Sequence, residues 1–343
     1  MYKIITISEF DQEKVSSFIK HKISDIRHSL LVSKNFKGKN LSFILCDNKL
    51  EIKAFCSLTF ESKFIKDKKW KLGTLFGLSL PGFIVSKNIT NNELKNIISQ
   101  VLQEINRICI RNSISVIKIC FSDFIDFDLS SEKAQILKRL LINDRYLDIS
   151  LIGNRVNLKE DLNVLLKRIS KGHKAIIKKN TYSVKFNSRN KILNFKNFSH
   201  ITNDSVDKKN LFEMYKEGFL EIADVYDKKK KIAFGIFSKV NDTVEYLFSN
   251  NITNAKNAHH YLVYEALRRY KEEGFNFFNF GFVAYGCTLQ YVPTEKHFNI
   301  AIFKRGFKGD QFPLVIYEKY FSKKFFKTHQ ELRIKAFSDL INE

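Results

Sequence analysis

The sequence predicts an α/β protein of two tandem units joined by a basic helical segment, and three observations predict it. The order hairpin, helix, strand occurs twice, separated by roughly half the chain. The 343 residues, 44% of them hydrophobic, suffice for two cores of ordinary domain size. Between the repeats, from Lys167 to Lys191, nine Lys or Arg occur without one acidic residue. The expected divisions are residues 1–150, 151–190 and 191–343.

In the first unit, Tyr2 to Ile7 reads as a strand, followed by a polar helix carrying His21 and His28. Leu41 to Cys46 and Leu50 to Phe60, with a turn at Asp47-Asn48, read as a hairpin. Gly73, Gly77 and Gly82 fit neither a Walker loop nor a dinucleotide fingerprint, so nucleotide binding by those devices is not expected. Thr90-Asn91-Asn92-Glu93 is a capping box. After it, Leu94, Ile97, Ile98, Val101, Leu102, Ile105 and Ile108 recur at helical spacing and give one apolar face. A strand follows, Ile114 to Phe121. Asp123, Asp126 and Asp128 lack the glycine and terminal glutamate of a calcium loop and read as solvated.

The central segment reads as two helices in a hairpin. Leu162, Leu165, Leu166 and Ile169 have helical spacing, Gly172 interrupts it, and Ala175, Ile176 and Ile177 resume it. Lys174, Lys178 and Lys179, at i, i+4 and i+5, are expected on one face as phosphate ligands. Tyr182 and Phe186 are too few for stacking along single strands.

In the second unit, Ile232 to Phe237 and Val244 to Phe248, turning at Asn241-Asp242, form a hairpin. A helix over about 258–273 ends at Gly274, and Phe275 to Phe280 is the buried strand after it. A parallel strand after a helix implies a right-handed crossover. Asn299 to Phe303 reads as a further short strand, with Lys304 and Arg305 at its end and Gly306 behind them. The tail, Leu314 to Glu343, reads as a strand and an amphipathic helix that docks on the body through residues such as Phe325 and Phe337.

A net charge of +22 favours polyanionic partners: RNA, nucleotide-linked substrates or an anionic membrane surface. Five scattered cysteines, Cys46, Cys56, Cys109, Cys120 and Cys287, show no zinc spacing, and no metal site is expected. No signal-peptide core opens the sequence and no apolar run approaches the ~18 residues of a membrane span, so the expected compartment is the cytoplasm.

Two blocks carry a family resemblance. A strand ending Phe280-Gly281, a loop, and then Phe303-Lys304-Arg305-Gly306-Phe307-Lys308-Gly309 resembles the C-terminal half of the Fem-type (FemAB-like) transferases. Ser170-Lys171-Gly172-His173-Lys174-Ala175-Ile176-Ile177-Lys178-Lys179-Asn180 resembles their mid-chain basic segment. The resemblance implies two tandem GNAT-like lobes and the passage of an acyl or aminoacyl group to an amine. It implies that Phe303 and Lys304 lie at the donor end, with Lys304 stabilising donor phosphate or the oxyanion. In a GNAT lobe the donor's pyrophosphate meets a helix N-terminus. The corresponding donor-binding residues are Asn254, Lys256, Asn257 and Ala258, and Arg305 joins them. The stretch Asn254 to His260 lacks the glycines of the usual acetyl-CoA loop, which fits aminoacyl-tRNA as donor.

His259 and His260 read as the start of a helix rather than as bases, and Glu265 and Glu295 are candidate carboxylate bases. No Ser-His-Asp or Cys-His arrangement is visible, so direct attack without a covalent enzyme intermediate is expected. The expected activity is transfer to an amine of a cell-envelope precursor, either an amino sugar or a peptidoglycan stem peptide. Aminoacyl-tRNA or acyl-CoA would be the co-substrate, with no tightly bound cofactor. Expected partners are tRNA, a nucleotide- or lipid-linked precursor, and an anionic membrane met peripherally. The alternative is a noncatalytic basic module that holds RNA or an anionic surface.

Overall fold

The structure, a computed structural model, describes residues 2–20, 38–74, 79–121, 131–179, 182–187, 208–253, 255, 257–288 and 291–341. The chain forms two compact units, one of residues 1–150 and 314–343, the other of 151–313. It opens with β1 (Lys3–Thr6), α1 (Gln12–Lys20), β2 (Lys39–Asn40), β3 (Phe43–Cys46), β4 (Ile52–Cys56), β5 (Thr59–Ile65) and β6 (Lys68–Gly73). There follow β7 (Leu80–Pro81), β8 (Ile84–Val85), α2 (Asn91–Arg111), β9 (Val116–Cys120), α3 (Glu132–Asn143) and β10 (Leu147–Asp148). The second unit begins with β11 (Leu151–Asn157), α4 (Leu162–Arg168), α5 (Lys171–Lys179), β12 (Ser183–Asn187), α6 (Lys208–Lys216) and β13 (Leu220–Asp227). It continues with β14 (Lys230–Val240), β15 (Thr243–Asn251), α7 (Ala258–Glu272), β16 (Phe277–Phe282), α8 (Glu295–Arg305) and β17 (Asp310–Leu314). The chain then returns to the first unit with β18 (Ile316–Tyr320) and α9 (Lys323–Ile341).

In the first unit, β10-β18-β9-β6-β5-β2 form a sheet in which β7 also pairs with β9, beside a smaller sheet β1-β3-β4-β8. Thr90 Oγ1 accepts the Glu93 amide and the Glu93 carboxylate accepts the Thr90 amide, so the capping box closes. The expected apolar stripe of α2 is buried from Leu94 to Ile105. Each such side chain contributes roughly 1.5–3 kcal/mol of transfer free energy. The helix leads from β8 into β9, which pairs in parallel with β6 (Leu72↔Val116, Gly73↔Ile117).

The second unit repeats this plan in one sheet, β12-β13-β14-β15-β16-β11-β17. β14 and β15 form the expected hairpin about Asn241, whose φ is +50°. α7 crosses to β16, which lies parallel to β15. Gly274, at φ +87°, stops the helix as its position predicts.

The structure changes five expectations. The hairpin of the first repeat is β5–β6. The predicted 41–60 hairpin exists as β3–β4, but it belongs to the smaller sheet, because the run Leu50 to Phe60 breaks at Ser57-Leu58. Asn299 to Phe303 is helical, inside α8, not a strand. The central helical hairpin exists, yet its break falls at Ile169-Ser170, with Gly172 inside α5. It is also no separate connector: Leu165, Ile169 and Ile177 join Leu262, Val263 and Phe307 in the second unit's core. Finally, the tail assigned to the C-terminal lobe belongs to the first unit. There β18 lies between β10 and β9, and Phe325 of α9 packs on Trp70 with ring centroids 4.9 Å apart. His21, His28, Gly77, Asp123, Asp126 and Asp128 fall outside the described residues.

Candidate active site

The site of interest grows from a break in the second sheet. β15 and β16 pair in parallel only at Thr243↔Phe277, Val244↔Phe278 and Glu245↔Asn279. Beyond Glu245, β15 stays on β14 as far as Asn251, its register shifted opposite Ile236 and Phe237. β16 stays on β11, with an irregularity between Gly153 and Arg155. The two parallel strands therefore part company after Asn279. Gly281 takes φ +67° at the divergence, where a side chain would be strained, and its amide donates to Asn279 Oδ1 at 2.7 Å.

Parting strands leave backbone carbonyls without a ladder, and buried carbonyls need donors. Lys304 supplies them. Its ammonium donates to Phe280 O at 2.5 Å and to Phe282 O at 3.0 Å. The Val283 amide donates to Ile152 O on the β11 side. In a trans peptide the carbonyl points opposite to the following N–H, so the Phe282 carbonyl faces the gap that β15 has left. Lys304 thus occupies the divergence. Burial pushes its pKa down to about 8, against which the Glu245 carboxylate pulls upward. The side chain still carries its proton at neutral pH.

The other side of α8 meets α5 and α7. His173 Nε2 contacts Phe303 O at 2.9 Å, donating in the tautomer that satisfies this carbonyl, and the Ser170 amide donates to Gly306 O at 2.8 Å. The His173 ring stands edge-on to His260 at 4.4 Å and to Phe307 at 5.0 Å, and His260 stands edge-on to Phe303 at 4.9 Å. Gly306 has an ordinary helical φ of −61°, so its glycine serves proximity rather than a turn. A Cβ there would come within 2.1 Å of the His173 ring. The two blocks of the family resemblance thus pack against each other.

Burial lowers the pKa of His173 and takes His259 and His260 down to about 4. The Nδ1 atoms of His259 and His260 are buried without a protein partner. All three rings are neutral and serve as packing groups. The first turn of α7 begins at Asn257, which has φ +69° and makes no side-chain cap, followed by the fully buried Ala258.

Phe303 and Lys304 are neighbours on a helix and diverge by its turn. Phe303 faces the histidines and Lys304 faces β16. Arg305 Nε donates to Ala301 O at 3.3 Å, and its guanidinium lies 5.3 Å from the centre of the Tyr285 ring. Asn254 and Lys256 fall outside the described residues. Lys174 does not share the exposure of Lys178 and Lys179. Its ammonium donates to Lys167 O at 2.7 Å and caps α4, whereas the other two are exposed at the end of α5. Glu265 pairs with Arg268 at 3.4 Å, and Glu295 is exposed in the first turn of α8. The acid that acts on Lys304 is Glu245. Its signal in the sequence was slight, a single acid in the run Val244 to Phe248.

No protein-family model matches the chain, and no curated protein matches it. Solved structures do match in fold. FemX superposes with a TM-score of 0.64 at 11% identity, covering 96% of this chain and 100% of that one. L-PGS from Bacillus licheniformis superposes at 0.56 with 14% identity, covering 95% and 94%. A tandem GNAT protein from the clavulanic acid biosynthesis pathway superposes at 0.51 with 6% identity, covering 93% and 98%. The chain has the tandem GNAT fold that the resemblance implied.

Proposed function

We propose that this protein transfers an acyl or aminoacyl group from an activated carrier to an amine, by direct attack. The observation that carries the reading is the Lys304 ammonium, held where β15 and β16 diverge. Attack of an amine on an ester or thioester carbonyl forms the new C–N bond and gathers charge on the carbonyl oxygen. Collapse breaks the bond to the carrier, which leaves with the electron pair, while the nitrogen releases a proton. Two of the three Lys304 N–H donors are used by β16; the third, with the charge, serves the developing oxyanion or a donor phosphate. Phe303, on the opposite face of α8, anchors the helix against His173 and His260, and the α7 N-terminus at Asn257 and Ala258 receives the donor's phosphate.

Aminoacyl-tRNA is the preferred donor. The net charge of +22, the exposed Lys178 and Lys179, and a 254–260 stretch without glycine support it over acyl-CoA. The acceptor is an amine of a cell-envelope precursor, an amino sugar or a stem peptide. The test presents labelled acetyl-CoA and charged tRNA beside a panel of such amines. Transfer from charged tRNA is expected; transfer from acetyl-CoA alone would reverse the donor assignment, and transfer from neither would leave a noncatalytic basic module.

The basic segment has its own test. Replacing Lys178 and Lys179 together by Gln is expected to weaken tRNA binding and reduce its log–log salt slope by roughly two, one for each phosphate no longer neutralised. Lys174→Gln, which removes a cap on α4, is expected to lower stability and leave that slope alone. An unchanged slope in the double variant would return both lysines to a solvated face.

A further inference from the structure

The first unit carries a basic and aromatic surface that the transfer reaction does not use. The β5–β6 hairpin turns at Lys66-Asp67, both in the left-handed region, and places Phe64 opposite Lys69 and Ile65 opposite Lys68. Phe64 is 74% exposed, the most exposed large apolar side chain among the described residues. The hairpin is tied to α9. Lys66 pairs with Glu331 at 3.0 Å, and Trp70 beneath the hairpin packs on Phe325. The N-terminal end of α9, on the hairpin face opposite Phe64, adds Lys323, Lys324, Lys327 and the part-exposed Phe326.

The charges on this surface are not balanced. The ammonium of Lys68 lies 4.5 Å from the centre of the Trp70 ring, and the neighbouring Lys324 side chain, with some burial, lowers the Lys68 pKa. Lys68, Lys69, Lys323, Lys324 and Lys327 form no ion pair among the described residues, whereas Lys63 and Lys66 do. Like charges converging at a surface raise the folded state's energy unless an anion meets them.

We propose that the β5–β6 hairpin docks tip-first on an anionic lipid bilayer, with Phe64 and Lys69 on the face turned away from α9, and Lys68 with Lys324 on the face turned towards it, meeting the headgroup layer from the two sides. Lipid fits better than nucleic acid for two reasons on this surface. The cations of 59–73 and 323–332 are all lysine, with no arginine fork to grip individual phosphates or stack on bases. Phe64 has Lys69, not a second aromatic, as its cross-strand neighbour, and one exposed ring on a hairpin face is no platform for successive bases. An aromatic among long lysines whose stems can lie along an interface suits a bilayer boundary. The inference stands apart from the transferase reading.

The test is sedimentation of the full chain with vesicles of phosphatidylcholine alone, or of three parts phosphatidylcholine to one part phosphatidylglycerol. Binding is expected only to the second and is expected to weaken with salt. Each lysine near an anionic leaflet strengthens binding roughly fivefold. Lys68→Gln, Lys69→Gln and Lys324→Gln together are therefore expected to weaken it about a hundredfold, and Phe64→Ser about tenfold. Far-UV circular dichroism and an unchanged thermal unfolding midpoint in each free variant certify the fold, since Lys68 lies over the Trp70 ring and its loss would shift tryptophan emission by itself. Equal binding of neutral vesicles, or full binding by the folded triple variant, would overturn the proposal. So would a triple variant that loses affinity for homopolymer RNA while keeping its affinity for vesicles.

Discussion

Lys304→Met is expected to lower turnover by roughly 10²–10³, the loss that follows removal of one oxyanion donor. The substitution keeps volume and removes the charge, and it strips the donor from two carbonyls of β16. Stability changes too, in opposing directions: buried carbonyls lose their partner, while a desolvated charge disappears. Turnover is therefore measured at a temperature where circular dichroism shows the variant fully folded. A structural role alone would leave turnover per folded molecule within a factor of about two. The pH profile separates the readings further. With its pKa near 8, Lys304 loses its proton as pH rises through that value, and parent turnover is expected to fall there. The variant should lack that limb. The linked stability change runs the other way. The folded pKa is depressed, so the unfolded chain binds the proton more tightly, and the folded state gains stability as pH rises from about 8 towards the ordinary lysine value.

Gly306→Ala is expected to destabilise the second unit by about 1–3 kcal/mol, at the upper part of that range. The new methyl would collide with the buried His173 ring, which is held by Phe303 O and hemmed in by His260 and Phe307. Relief requires α5 to move away from α8, which also strains the bond from Ser170 to Gly306 O. A double-mutant cycle with His173→Ala isolates the clash, because the alanine added after the ring is gone should cost little. Denaturant unfolding reads both arms. Equal penalties with and without His173 would show that the contact does not matter.

Those two residues mark what could be read from the chain and what could not. The capping box at Thr90, the stripe from Leu94 to Ile105, and the hairpin, helix and strand from 232 to 282 are local patterns, and local patterns fix local structure. The α8 helix was hidden because its pattern misleads. Asn299-Ile300-Ala301-Ile302-Phe303 has strand composition, and Ile300 and Ile302 turn outward at 41% and 56% exposure while small Ala301 is buried. Its helix signal lay in a cap, Thr294 Oγ1 accepting the His297 amide. Long-range bonds secure it, from Lys304 to β16 and from His173 to Phe303, the latter across 130 positions. The blocks around 170–180 and 303–309 were visible separately; that they touch depends on packing, which periodicity does not report.

The return of residues 314–343 to the first unit constrains how the chain can be made. Synthesis runs from the N-terminus at ~5–20 residues per second, so β9 and β10 wait roughly ten to thirty seconds for the strand that separates them in the sheet. The second unit is one uninterrupted stretch and can close as soon as it has left the ribosome. Completion therefore reverses the order of translation. Throughout that interval the nascent first unit offers unsatisfied strand edges, on β9 and β10, to any neighbouring polypeptide.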